Sequence, residues 1–94
     1  MFVHIGKNFS VNEKEIIGIF DMETSTVSSE TRNFLKNMQE DMKTVSLCDD
    51  IPKTFVLCDN EITDTVYITQ ISEKSTLNRL ADIKSITMKG KIDG

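Results

Sequence analysis

Ile16, Ile17, Gly18, Ile19 and Phe20 form an unbroken apolar run between the charged stretch Asn12-Glu13-Lys14-Glu15 and Asp21. The run is too short for a buried helix and rich in β-branched residues, so 15–21 is expected to be a strand. Strand alternation would point Ile17 and Ile19 one way and Ile16, Gly18 and Phe20 the other. Both faces are then apolar, as in a strand covered on both sides. That is demanding for a chain of 94 residues, which buries only about 60–65% of its unfolded surface and has room for one domain.

The other segments supply few covers. "FVHI" (2–5) reads as a first strand and "GKN" (6–8) as the turn after it. "STVSSETRNFLKNMQEDM" (25–42) is the one substantial helix. Val27, Thr31, Phe34, Leu35, Met38 and Met42 form its apolar stripe, and Ser25 or Thr26 is its expected N-cap. Lys36 and Glu40 are spaced to pair on its wet face. "TVSLC" (44–48), "TFVLC" (54–58) and "DTVYITQI" (64–71) read as strands, with Asp59-Asn60 in a tight turn that tolerates left-handed backbone. "SEKSTLNRLA" (72–81) reads as a short helix capped by Ser72 or Ser75, with Leu77 and Leu80 free to dock. The expected fold is α+β: a small, mostly antiparallel sheet of about five strands, one main helix and a short C-terminal helix. The domain spans 1–80, and 81–94 is a weakly patterned tail expected to be disordered. One helix covers one sheet face, so another copy of the chain is expected to bury what remains apolar on the second.

The charge balance narrows function. Eleven basic and fifteen acidic residues give a net charge of -4, so there is no global basic footprint for nucleic acid. "MFVHIG" lacks the basic and long apolar regions of a signal peptide, and no run is long enough for a membrane span, so a cytoplasmic location is expected. Cys48 and Cys58 have no ligand-like spacing and read as small buried hydrophobes, with no disulfide expected in a reducing compartment. His4, the only histidine, has no nucleophile motif to serve. The acids at 49–50 and 59–64 lack the glycine and terminal glutamate of a calcium loop, and no glycine-rich phosphate loop is present. The expectation is therefore no enzyme, no metal and no cofactor. What remains is three lysines at element ends: Lys7, Lys14 and Lys53. On one rim they would suit phosphate contact as point charges.

"MFVHIGKNFSVNEKEIIGIFD", "SSETRNFLKNM", "PKTFVL" and "YITQISEKSTLNRL" together resemble the RemB-like branch of the RemA/RemB family of bacterial extracellular-matrix regulators. The resemblance covers about residues 1–80 and is most specific over the first 21 and at "PK" with the strand that follows. It implies a LytTR-like fold and a small regulator of biofilm-matrix genes. Its RemA branch binds DNA and assembles into closed rings. In that branch, arginines before the second strand and a paired-arginine segment supply the DNA contacts. The first position carries Glu15 here, or Lys14 with a one-residue slip. The second falls near Ile51 and Pro52, beside Lys53. The resemblance thus implies a homo-oligomeric, DNA-binding transcriptional regulator with Lys7, Lys14 and Lys53 as candidate contacts. The alternative is an acidic oligomeric adaptor that controls matrix genes through a protein partner without touching DNA.

Overall fold

A computed structural model describes residues 1–82. Six strands form two sheets, with three helices beside them, so the fold is α+β and mostly antiparallel. Strands β1 (Phe2–Gly6) and β2 (Phe9–Asn12) make an antiparallel hairpin. A 3-10 turn, Glu13–Glu15, leads into β3 (Ile16–Asp21). Helices α1 (Met22–Ser25) and α2 (Ser29–Glu40) follow. Strands β4 (Thr44–Ser46), β5 (Thr54–Asp59) and β6 (Asp64–Thr69) complete a second sheet ordered β3-β5-β6-β4. Helix α3 covers 73–82.

The turn after β1 falls within 6–8 as expected, and the hairpin strand β2 follows it in a stretch where the sequence suggested no element. Its signal is the alternation Phe9-Ser10-Val11-Asn12, in which Val11 is buried and Ser10 exposed. Strand β4 pairs parallel to β6, because α1 and α2 carry the chain from β3 across one sheet face to the far edge. The main helix is shorter than 25–42. Ser28, not Ser25 or Thr26, caps α2, its hydroxyl accepting from the Thr31 amide. At the other end Met42 adopts a left-handed backbone (φ 58°), and the Lys43 amide bonds back to the Met38 carbonyl, closing the helix. Val27 and Met42 consequently fall outside the core, and both are exposed. Lys36 and Glu40 form no ion pair; the one present among the described residues joins Lys7 to Asp49.

Strand β3 differs most from its pattern. Ile16 pairs with Cys58, but Gly18 already pairs with Leu57, so Ile17 is the extra residue of a β-bulge. The bulge places Ile16 and Ile19 on the same face and leaves Ile17 59% exposed. Gly18 keeps room for Phe20: a Cβ there would meet the Phe20 ring at 2.5 Å, and that ring stacks on Phe55 at 5.0 Å. β3 is also an edge strand; the strand covered on both sides is β5, where Thr54, Phe55, Val56 and Cys58 are all buried.

Two cores flank the second sheet. On one face Val56 and Cys58 pack with Leu47 and the hairpin residues Val3, Ile5 and Val11, joined by Phe9, Tyr67 and Leu80. On the other, Phe55 and Val66 pack under Met38, Leu35 and Met22. Helix α3 begins with Ser72 as its N-cap, the hydroxyl accepting from the Ser75 amide. It docks through Thr76, which is fully buried, and Leu80, whereas Leu77 is 42% exposed. Ala81 and Asp82 are helical rather than part of a tail; the expectation of disorder for 83–94 lies outside the described residues.

Candidate functional site

Strand direction decides where the candidate lysines stand. Lys53 directly precedes β5, and Lys14 lies two residues before β3. The two strands are antiparallel neighbours, with Asp21 opposite Thr54 and Ile16 opposite Cys58. Lys14 and Lys53 therefore stand at opposite ends of the sheet, separated by a strand length of roughly 15–20 Å. Lys7 sits in the turn between β1 and β2 with left-handed backbone (φ 49°). Its ammonium is 2.9 Å from Asp49, and the neighbouring Gly6 lies against Thr69 and Leu47. Thr69 pairs with Thr54, so Lys7 belongs to the Lys53 end. The single rim expected for three lysines is thus corrected to two at one end and one at the other.

The Lys53 end is of mixed charge. Asp49, Asp50, Ile51, Lys53 and Gln70 line an open depression there. The backbone of Lys53 is fixed: its amide donates to Thr69 and its carbonyl accepts from Met22. The side chain is exposed. Farther along the hairpin, Arg79 of α3 donates from Nη1 to the His4 carbonyl (2.8 Å) and lies 3.1 Å from His4 Nδ1. The His4 ring also bonds the Lys7 carbonyl. Arg79 thus links α3 to the hairpin. No spacing in the sequence pointed to this contact, because its partner lies 75 residues away.

The Lys14 end is acidic. Lys14 projects from a turn between Glu13 and Glu15, with its amide held by the Asn12 side chain. Across from it, Asn60 organises the β5–β6 turn by accepting from the Ile62 and Thr63 amides. Neither Asp59 nor Asn60 adopts left-handed backbone; the Asn60 side chain makes the turn. Asp59 and Asp64 face each other across the ladder. The hydrogen bond that protonated Asp59 donates to Asp64, together with the Asp64 charge, raises the Asp59 pKa above the ordinary value. Glu15 adds to the burial that pushes the Cys58 thiol up to about 11, so this buried cysteine is a poor nucleophile.

A third feature is apolar. Phe20, Phe34, Phe55 and Leu57 form the floor of an open groove of about 570 Å³ between β3 and the start of α2, rimmed by Thr24, Ser28, Glu30 and Thr31. Phe20 and Phe34 are each 38% exposed in it. The groove borders the unpaired edge of β3. Among the described residues no group of three or more His, Cys, Asp or Glu is placed to hold a metal ion, and no helix is long and apolar enough to cross a membrane. No protein-family model matches the chain, and no curated protein matches it closely enough to count as a relative.

Proposed function

We propose that the chain is a homo-oligomeric transcriptional regulator of extracellular-matrix genes, active in the cytoplasm, which contacts the DNA phosphate backbone through the sheet end carrying Lys7 and Lys53. The observation that carries this reading is the convergence of those two lysines at one end, beside the Pro52-Lys53 segment on which the RemB-like resemblance rests. Lys14 is not part of this contact, since acids surround it at the other end.

One copy offers little. Asp49 partly neutralises Lys7, and Asp50 lies close to Lys53 in sequence and lines the same depression. Phosphate contacts dominate affinity and its salt dependence, so two compromised lysines would bind a duplex weakly. Repeating the end around an oligomer multiplies those contacts into avidity. The groove at Phe20 and Phe34, next to the open β3 edge, supplies apolar surface for such self-association. Fluorescence anisotropy of a labelled duplex, titrated at several salt concentrations and paired with solution mass, tests the reading. The expected result is an oligomer whose binding falls steeply with salt. A monomer, or no binding at low salt, would overturn it.

The acidic Lys14 end favours a second reading, an oligomeric adaptor that controls matrix genes through a protein partner and leaves DNA untouched. Recovery of a transcription factor from nuclease-treated lysate, with no duplex binding by the pure protein, would favour it over the first.

A further inference from the structure

We propose that the Lys14 end is a docking surface for a basic amphipathic segment of a partner protein. The proposal deepens the adaptor reading and needs no DNA contact by this chain.

Two independent features meet at this end. The first is apolar surface: Ile17 is pushed out by the β3 bulge and is 59% exposed, Ile62 at the β5–β6 turn is 92% exposed, and Phe2 opposite Asn12 is 69% exposed. These residues come from three separate segments, so their exposure is not one frayed loop. Glu15, Asn60, Glu61 and Ile62 line a shallow depression between two of those segments. The second feature is charge. Five acids, Glu13, Glu15, Asp59, Glu61 and Asp64, stand at this end against three cationic groups: Lys14, the Met1 amino group beside Glu13, and Lys43 at the start of β4. The carboxylates are close-set: Asp59 and Asp64 face each other across the ladder, and Glu13 and Glu15 flank Lys14 in one turn.

The combination selects the occupant. A nucleic acid or an anionic membrane surface would be repelled by the carboxylates. A hydrated cation would gain nothing from exposed isoleucines. A segment that alternates lysine or arginine with apolar side chains would bury Ile17 and Ile62 and relieve the carboxylate crowding together. The turn is preorganised for this, since Asn60 fixes the Ile62 amide at 2.8 Å.

The test is an NMR titration of the full chain with a synthetic peptide of lysine and leucine in amphipathic spacing. Two controls of equal length, lysine–glycine and glutamate–leucine, separate charge from apolar contact. The expected result is amide shifts confined to the Glu15–Ile17 and Glu61–Ile62 segments. Affinity should exceed that of either control by about tenfold or more, and Ile62→Ser or the pair Glu15→Gln/Glu61→Gln should each lose about tenfold. Equal binding of the lysine–glycine peptide, shifts centred on the Phe20–Phe34 groove or the Lys53 end, no binding, or burial of this end by a second copy would each overturn the proposal. A parallel capture from nuclease-treated lysate separates the two levels. A partner held equally by wild type and by Ile62→Ser overturns the surface but leaves the adaptor reading. Nothing held by either removes the adaptor reading itself.

Discussion

The two ends of β5 share a strand but not an environment. At the Thr54 end the backbone is held on both sides, by Lys53 bonded to Thr69 and to Met22, and Thr54 and Thr69 are fully buried. Lys7 and Lys53 stand there among Asp21, Glu23, Asp49 and Asp50, and Lys7 is paired with Asp49. At the Asp59 end two aspartates face each other, the turn beyond is exposed, and Lys14 is outnumbered. A small antiparallel sheet can therefore present two chemically different poles only about 15–20 Å apart. Under the proposed function, a lysine's value as a phosphate contact depends on the pole it occupies as well as on its position in a motif.

Several changes would sharpen or break that contrast. The largest expected effect on stability is at Arg79, which ties α3 to the hairpin near the Lys7 pole. Arg79→Met keeps the stem but loses the donors, and should cost about 1–2 kcal/mol in denaturant unfolding. It should also raise hydrogen exchange in α3 and β1 while leaving the β5–β6 turn unchanged. Uniform loss across the domain would contradict the local clamp.

Thr54 is next. Its hydroxyl is buried and has no hydrogen-bond partner among the described residues. Thr54→Val removes the polar atom at nearly constant shape and should stabilise by about 1 kcal/mol, read as an upward shift of the unfolding midpoint. A loss of similar size would mean that the hydroxyl is satisfied. Lys7→Ala should cost less, under about 1 kcal/mol, because its ion pair with Asp49 is solvent-exposed. A double-mutant cycle with Asp49→Ala would measure the coupling, and a value above about 1 kcal/mol would show a tighter pole than described.

The smallest effect lies at the acidic pole and appears mainly as pH dependence. Asp59 has a raised folded pKa because of Asp64. Its contribution is fully present below the unfolded carboxylate value of about 3.9 and is lost as pH rises through the higher folded value. Asp64→Asn should therefore be more stable than wild type at neutral pH, with the difference shrinking on acidification. Parallel stability–pH curves for the two proteins would remove the coupling.

Much of this architecture was readable in the residues. Strands β3, β5 and β6, helix α2 and helix α3 follow from apolar period and turn chemistry. The bulge was not readable, since an extra residue in "IIGIF" leaves the composition of the run unchanged while moving Ile17 off both faces. The break before α2 was hidden because Val27 fits the helical stripe, although Ser28 is as good a cap as Ser25. The two poles depend on which strands pair, and no single segment displays that. Lysines that precede two neighbouring antiparallel strands must lie at opposite ends, so pairing 15–21 with 54–58 would already have separated Lys14 from Lys53. The Arg79 contact is tertiary and leaves no local trace.

Under the proposed function, phosphate contact belongs to the Lys53 pole alone. The most direct measurement is duplex binding at low salt by wild type, Lys53→Glu and Lys14→Glu, each with its oligomeric mass checked. Lys53→Glu is expected to lose at least about tenfold in affinity and to flatten the salt dependence, while Lys14→Glu binds like wild type. Equal losses from the two substitutions, or a loss from Lys14→Glu alone, would contradict it.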